Sequence, residues 1–270
     1  MKKLLPLAGL IMLGAADAGA AALAPHRAIY DLNLLRASNN ASLTAAEGRL
    51  AFEIQGSQCD GWTVSFRMVS NYRPSEGKPS LVDTQSTTYE GPGSLDFRHQ
   101  VKETINGEVK DDSRIKVTRT SPRGEGEGKL TGKTSEDFAL APGTDLPVQH
   151  QLKLMALGEE GGGRDSSTIF DGSDGAKSYR AISFVGKAKP PGSIARDQSN
   201  PEAKPLADVP AWPMTISYYP TDGSDGTPEY QVSFDMYANG VATGLVLDYG
   251  DFALAGRLVK LQMLDGAKCP

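Results

Sequence analysis

The chain has 270 residues, with 28 basic side chains against 33 acidic ones and a formal net charge of −5. That mild, mixed balance argues weakly against a nucleic-acid binder, which would show a basic stripe. An apolar fraction of 39% is enough to bury a core in one large or two smaller domains, and no segment after residue 22 is apolar enough to cross a bilayer as a helix.

Met1-Lys2-Lys3 is a short basic start, Leu4 to Gly14 an apolar run, and Ala15 to Ala22 a stretch of small residues with several Ala-x-Ala steps. This is the pattern of a cleaved signal peptide, cut after Ala18, Ala20 or Ala22. The apolar run falls short of the roughly 18–20 residues a spanning helix needs. No cysteine lies near the cleavage zone to carry a lipid anchor. The expectation is a leader over residues 1–22 and a single periplasmic domain over 23–270.

Alternation with a period of two follows. Tyr30, Leu32 and Leu34 alternate with Asp31 and Asn33, and Leu50, Phe52 and Ile54 with Ala51 and Glu53. Val64, Phe66 and Met68 continue the pattern, then Ile115 and Val117, Ile182 and Phe184, and Met214, Ile216 and Tyr218. Tyr230, Val232, Phe234 and Met236 form the longest run. Such segments are strands with one face in a core and one in water, and their number points to a barrel or sandwich. Asn239-Gly240 predicts a two-residue hairpin with positive φ at both positions, leading to a return strand from Val241 to Tyr249. A further turn at Gly250-Asp251 precedes a last strand over Phe252 to Met263.

Leu146 to Leu157 breaks the alternation and predicts a helix, capped by Asp145, with Pro147 in its first turn and Gly158 as its stop. A single helix in a β-protein suits the mouth of a barrel. Residues 121–132, 159–167 and 190–213 are loops, and the proline-rich last one is the candidate excursion or lid. Asp-Gly-Ser-Asp-Gly occurs twice, at Asp171 to Gly175 and Asp222 to Gly226. Its spacing lacks the late bidentate carboxylate of a calcium loop, so both copies are expected to be turns.

The two cysteines, Cys59 and Cys269, lie near the start and at the end of the mature chain. A reactive pair or a metal site finds no Cys-x-x-Cys spacing and no nearby histidine. In an oxidising compartment the pair is expected to form one disulfide.

Catalytic patterns are sparse. There is no Gly-x-Ser-x-Gly elbow, phosphate loop or dinucleotide fingerprint, and His26, His99 and His150 have no zinc spacing. No catalytic residue, metal or cofactor is assigned, and the protein is not expected to be an enzyme. Trp62 is expected beside the disulfide. Trp212, flanked by Pro210 and Pro213, is placed in a loop, either packed over a barrel edge or as a lid over an apolar cavity that Tyr218, Tyr219 and Tyr237 help to line.

Three stretches together carry a resemblance. They are Ala24-Pro25-His26-Arg27-Ala28-Ile29-Tyr30-Asp31-Leu32, Cys59-Asp60-Gly61-Trp62, and the C-terminal run through Met236-Tyr237-Ala238-Asn239-Gly240-Val241 and Leu247-Asp248-Tyr249-Gly250-Asp251-Phe252 to Cys269. In these the chain resembles the EipB family of alphaproteobacterial cell-envelope integrity proteins. The resemblance implies an all-β, spiral-like open barrel of antiparallel strands with one short helix and one disulfide. It also implies a periplasmic role in maintaining the envelope under stress, with a lipid or amphipathic ligand held in the barrel. Two further readings are kept: a scaffold that docks a periplasmic protein partner, and a hydrolase of cell-wall or lipid material whose clustered Ser/His or Asp/Glu site only folding reveals.

Overall fold

The structure, a computed structural model, describes residues 22–39, 41–221, 226–266 and 269. Residues 1–21, which fall within the expected leader, and residues 222–225 of the second Asp-Gly-Ser-Asp-Gly copy lie outside the described residues.

The strands are β1 (His26–Ala37), β2 (Leu43–Ser57), β3 (Gly61–Pro74), β4 (Ser80–Glu90), β5 (Asp96–Ile105), β6 (Glu108–Arg119), β7 (Gly126–Thr131) and β8 (Ser135–Leu140). Helix α1 (Pro147–Glu159) follows, then β9 (Gly163–Ile169), β10 (Tyr179–Val185), the short α2 (Ala195–Gln198), β11 (Ala211–Pro220), β12 (Tyr230–Tyr237), β13 (Ala242–Asp248) and β14 (Phe252–Met263). The 14 strands of the described residues belong to one antiparallel sheet, in which strands consecutive in sequence are neighbours in space except β8 and β9, and β1 pairs with β14. The sheet is open, with β8 and β9 at its edges.

Period-two patterning sets the register. Tyr30 lies opposite Leu258 on one side and Leu50 on the other, and Leu50 lies opposite Met68. One apolar row therefore runs unbroken across β14, β1, β2 and β3. A slip of one residue in any of these strands would send its apolar set to water.

Helix α1 shows how the sheet curls. Its Val148 packs with Ile54 and Trp62 of β2 and β3, while Leu154 and Met155 pack with Ile169, Ala181, Trp212 and Met214 of β9 to β11. Phe170, just past the edge strand β9, meets Phe97 and Phe138 of the other flank at ring centroid distances of 5.7 and 5.3 Å. Both flanks of the sheet thus wrap around one helix. At this end lie α1, the residues between β10 and β11, and the disulfide; the opposite end is bordered by hairpin turns.

Several details depart from the sequence expectation. Asp145 does not cap α1; the carboxylate of Glu90, 58 residues earlier, accepts hydrogen bonds from the backbone N–H of Val148 (2.8 Å) and Gln149 (3.1 Å). Gly158 does not stop the helix, which continues to Glu159. A β-carbon at Gly158 would lie 2.6 Å from the indole of Trp212, so glycine is there to let that ring approach. Trp212 sits within β11 rather than in a loop. At Asn239-Gly240 positive φ occurs at Gly240 alone, and the Asn239 side chain accepts from Val241 N–H (3.2 Å), so the connection is longer than a two-residue turn. The first Asp-Gly-Ser-Asp-Gly copy is a turn as expected, with Asp171 accepting from the N–H and hydroxyl of Ser173. Trp62 packs with Leu23, Ile54 and Val148.

The residues between β10 and β11 fill a gap in the sheet. β13 pairs with β14 over Ala253 to Gly256, which leaves the far half of β14 without a neighbour on that side. There Asn200 Nδ2 donates to Leu258 O (3.0 Å), and Leu261 N–H donates to the Glu202 carboxylate (3.4 Å). Ile194, Ala203 and Leu206 enter the core beside Tyr30, Tyr237, Leu258 and Leu261. Side chains and a 3-10 turn at Pro201–Leu206 thus stand in for a missing strand.

Cys59 and Cys269 form a disulfide with a Cα–Cα distance of 5.7 Å and a sequence separation of 210. It ties the β2–β3 turn to the chain's end. On the chain-entropy model a loop of this size is stabilised by about 5 kcal/mol, less whatever the reduced chain retains in structure. Cys59→Ser or Cys269→Ser should lower unfolding free energy by several kcal/mol in oxidising buffer, checked by denaturant titration. Reduced wild-type protein should match the variants. Gly158→Val, by driving a side chain into Trp212, should lower stability by about 1–3 kcal/mol, measured as a fall in Tm.

Candidate functional site

The concave face of the sheet is not uniformly sealed. Around α1 many of its apolar residues are fully buried, but Phe52 and Phe66 and, towards the hairpin end, Met68, Val232, Leu245 and Leu247 are half-buried although they point inward. Two aromatic groups stand at that mouth. Tyr218 stacks on Tyr230 at 4.3 Å with Tyr179 edge-on to both. Phe252 meets Tyr72 at 5.9 Å and Tyr249 at 5.0 Å. Their phenols are shielded enough for burial to raise the pKa of Tyr218 and Tyr230 and to push Tyr249 up to about 12. Even so, Tyr249 remains 37% exposed. Large apolar side chains crowded by protein yet reachable by water make this mouth the candidate ligand site.

The adjoining part of the inner face is polar. Thr84, Ser86 and Thr88 of β4 share the inner face with Met68, Phe66 and Val64 of β3, in direct register. Thr84 donates to the Glu103 carboxylate (3.2 Å), and Thr88 shares a 2.8 Å hydrogen bond with His99 Nδ1. The inner face thus sets the aliphatic and aromatic residues of β3 directly beside the hydroxyl-bearing ones of β4, a division suited to an amphipathic guest.

The residues singled out from sequence fall in different places. Tyr218 stands in the aromatic mouth. Trp212 lies on the inner face but under α1, 3% exposed, with its indole N–H unpartnered among the described residues. Tyr219, next to Tyr218 on a strand, faces the other way, with the Arg180 guanidinium over its ring at 5.2 Å. Tyr237 is on the opposite face of β12 from Met236, where its hydroxyl donates to Asp197 (2.9 Å) beneath the β10–β11 connection. Tyr72, Tyr230, Tyr249 and Phe252 carry the mouth with Tyr218; the places of Tyr72, Tyr230 and Phe252 on alternating strands were the signal that could have found them, while Tyr249 lies in the turn after β13.

A second constellation lies under α1. Asp145, fully buried, is held by Arg123 Nε (2.9 Å) and by Lys153 Nζ (3.6 Å), which also reaches Asp165 (2.6 Å) and Ser167 (2.8 Å). Arg119 donates to Thr144 O (2.9 Å). Beside them Ser183 Oγ lies 3.4 Å and Asp165 Oδ2 3.7 Å from His150 Nε2. A hydrolytic relay needs serine and carboxylate on opposite ring nitrogens, so that one orients the ring while the other gives up its proton. Here both approach the same nitrogen, and Ser183 is fully buried. The cluster is an internal charge network holding α1 to β9 and β10.

Burial holds His26, His99 and His150 below the ordinary imidazole pKa. Below pH about 6.5 the unfolded chain therefore binds more protons than the folded one, and stability is lost as pH falls through that window. Burial pushes Glu90 the other way, above the usual carboxyl range, against its hydrogen bonds from Ser94, Val148 and Gln149, so its smaller contribution opposes the trend. Tm should fall between about pH 7 and 5.5, and His150→Gln should flatten the slope.

Comparison with known proteins places this architecture. The family model described as EipB-like matches residues 17–265. The cell envelope integrity protein EipB of Brucella abortus (strain 2308) is 35% identical over 261 residues, covering 94% of this chain and 90% of the relative. The crystal structure of a beta-barrel-like protein of a domain of unknown function, also from Brucella abortus, superposes with a TM-score of 0.83 at 31% identity. That match covers 91% of this chain and all of the solved one.

Proposed function

The chain belongs to the EipB-like family, and from that premise we propose that it supports cell-envelope integrity by holding a lipid or other amphipathic molecule in its barrel. The observation that carries the ligand reading is the half-buried inner band of Phe52, Phe66, Met68, Val232, Leu245 and Leu247 beneath the aromatic mouth. A core with no guest would seal such residues, because each large apolar side chain left half-wet forgoes on the order of 1 kcal/mol of burial. An acyl chain laid against them gains about 0.8 kcal/mol per buried methylene. The hydroxyls of Thr84, Ser86 and Thr88 face a headgroup or ester. The work is placed in the periplasm, where the leader would send the chain and where Cys59 and Cys269 can oxidise. The Ser183–His150–Asp165 arrangement lends no support to a hydrolase.

Native mass spectrometry of the mature protein purified from periplasm, followed by organic extraction, tests this. The expected result is a reproducible bound lipid. Phe66→Arg should weaken binding of a fluorescent fatty-acid probe at least tenfold while Tm stays within a few degrees, since the site is half-hydrated already. A clean apo mass and no probe binding would transfer the role to docking of a protein partner.

A further inference from the structure

The outer face of the same strands carries a different chemistry. The register sets Arg98 of β5 directly opposite Lys116 of β6, and Lys116 directly opposite Lys129 of β7. Arg114, two residues from Lys116 on β6, lies opposite Gln100 and Thr131. Like charges directly opposite across strands destabilise a sheet, and three in one row, with strands about 4.8 Å apart, is an arrangement that stability alone would remove. The overall charge of −5 makes a local cationic row stand out further.

These side chains line a groove of about 410 Å³ together with Thr87, Tyr89 and Thr131. No carboxylate lines it. The acidic neighbours sit outside its rim: Asp96 pairs with Arg98 (2.6 Å), Asp112 approaches Arg114 (3.8 Å) and Asp137 approaches Lys129 (3.9 Å). Lys116, in the middle, has no carboxylate within 4 Å among the described residues. Tyr89 supports one end, with the Arg98 guanidinium over its ring at 5.6 Å.

We propose that this groove on β4 to β7 binds a compact, multiply charged phosphate group. Compactness follows from the layout. The cations fill a patch about two strand spacings wide, whereas a long polyanion would need a stripe. A small group entering the groove meets Arg98, Arg114, Lys116 and Lys129 and relieves their mutual repulsion, with the hydroxyls of Thr87 and Thr131 as neutral donors.

The test is calorimetric titration of the mature full chain with inorganic pyrophosphate at low ionic strength. Binding that weakens with added salt, and at least tenfold in Lys116→Gln/Lys129→Gln but not in the distant control Lys260→Gln, is the expected result. The double variant should also melt above the wild type in the absence of pyrophosphate, because it removes repulsion from the row; a lower Tm would sink the premise. No binding, or equal affinity in the double variant, would overturn the proposal, as would binding to anionic vesicles without binding to pyrophosphate. With binding established, vesicles of phosphatidic acid in phosphatidylcholine identify the source. Competition with pyrophosphate assigns a lipid-borne phosphate, and its absence assigns a soluble one; both are consistent with the groove.

Discussion

Strand β1 gives one edge to β2, its neighbour in sequence, and the other to β14 at the far end of the chain. The rest of the fold depends on that second edge. Without it the chain would be a run of eight strands and a run of six joined through a helix, each with an exposed edge where the other should be. Closing so long a loop costs conformational entropy that grows with its logarithm. Apolar pairs offset it, Ala28 with Leu261, Tyr30 with Leu258 and Leu34 with Leu254. The disulfide sits at the end of this seam, so in the oxidised chain the segment after β14 is held close to the β2–β3 turn even before the strands pair.

Once the seam curls the sheet, an interior exists and α1 occupies one end of it. A helix inside a barrel must have its terminal N–H groups satisfied without water. Glu90 does this, at the cost of burying a carboxylate that its hydrogen bonds and the nearby Arg119 only partly offset. Asp145, sequentially placed to cap the helix, is used instead to neutralise Arg123 and Lys153. The two carboxylates have exchanged the roles that local sequence would give them. The reason is topological: the β4–β5 turn brings Glu90 beneath the helix start, and no local pattern records that.

Many of the strands and the disulfide were legible because each follows from a rule local in sequence or from compartment: period-two alternation, a hairpin signal, two cysteines in a chain expected to be exported. The helix was legible as an interruption of the period. β7 (Gly126–Thr131) and β9 (Gly163–Ile169) were not legible, since residues 121–132 and 159–167 are rich in glycine and charge and looked like loops. Nor was the β1–β14 seam, since it joins distant segments. The rest of what was not legible depended likewise on contacts between distant segments. Trp212 between prolines looked like a loop residue, yet Pro213 is tolerated inside β11 and the indole is received by Gly158 of α1. The same glycine looked like a helix stop. One contact, made between segments more than fifty residues apart in sequence, misdirected both readings. The cavity mouth was half visible, since Tyr218 was singled out, but Tyr219 beside it faces Arg180 by the very alternation that identified the strand.

That alternation also separates the protein's two candidate chemistries. On β5 and β6 the inward residues are Phe97, His99, Ile115 and Val117, and the outward ones between them are Arg98, Gln100, Arg114 and Lys116. Each strand is a common wall, one side apolar and facing the barrel, the other cationic and facing water. The two sides share backbone hydrogen bonds but no side-chain contact need pass between them, so a charge changed outside leaves the inner packing in place. The sequence of such a strand is therefore constrained at every position, odd ones by the core and even ones by whatever the outer groove meets. The outer constraint is the more telling of the two, because three cations in register work against the sheet that carries them.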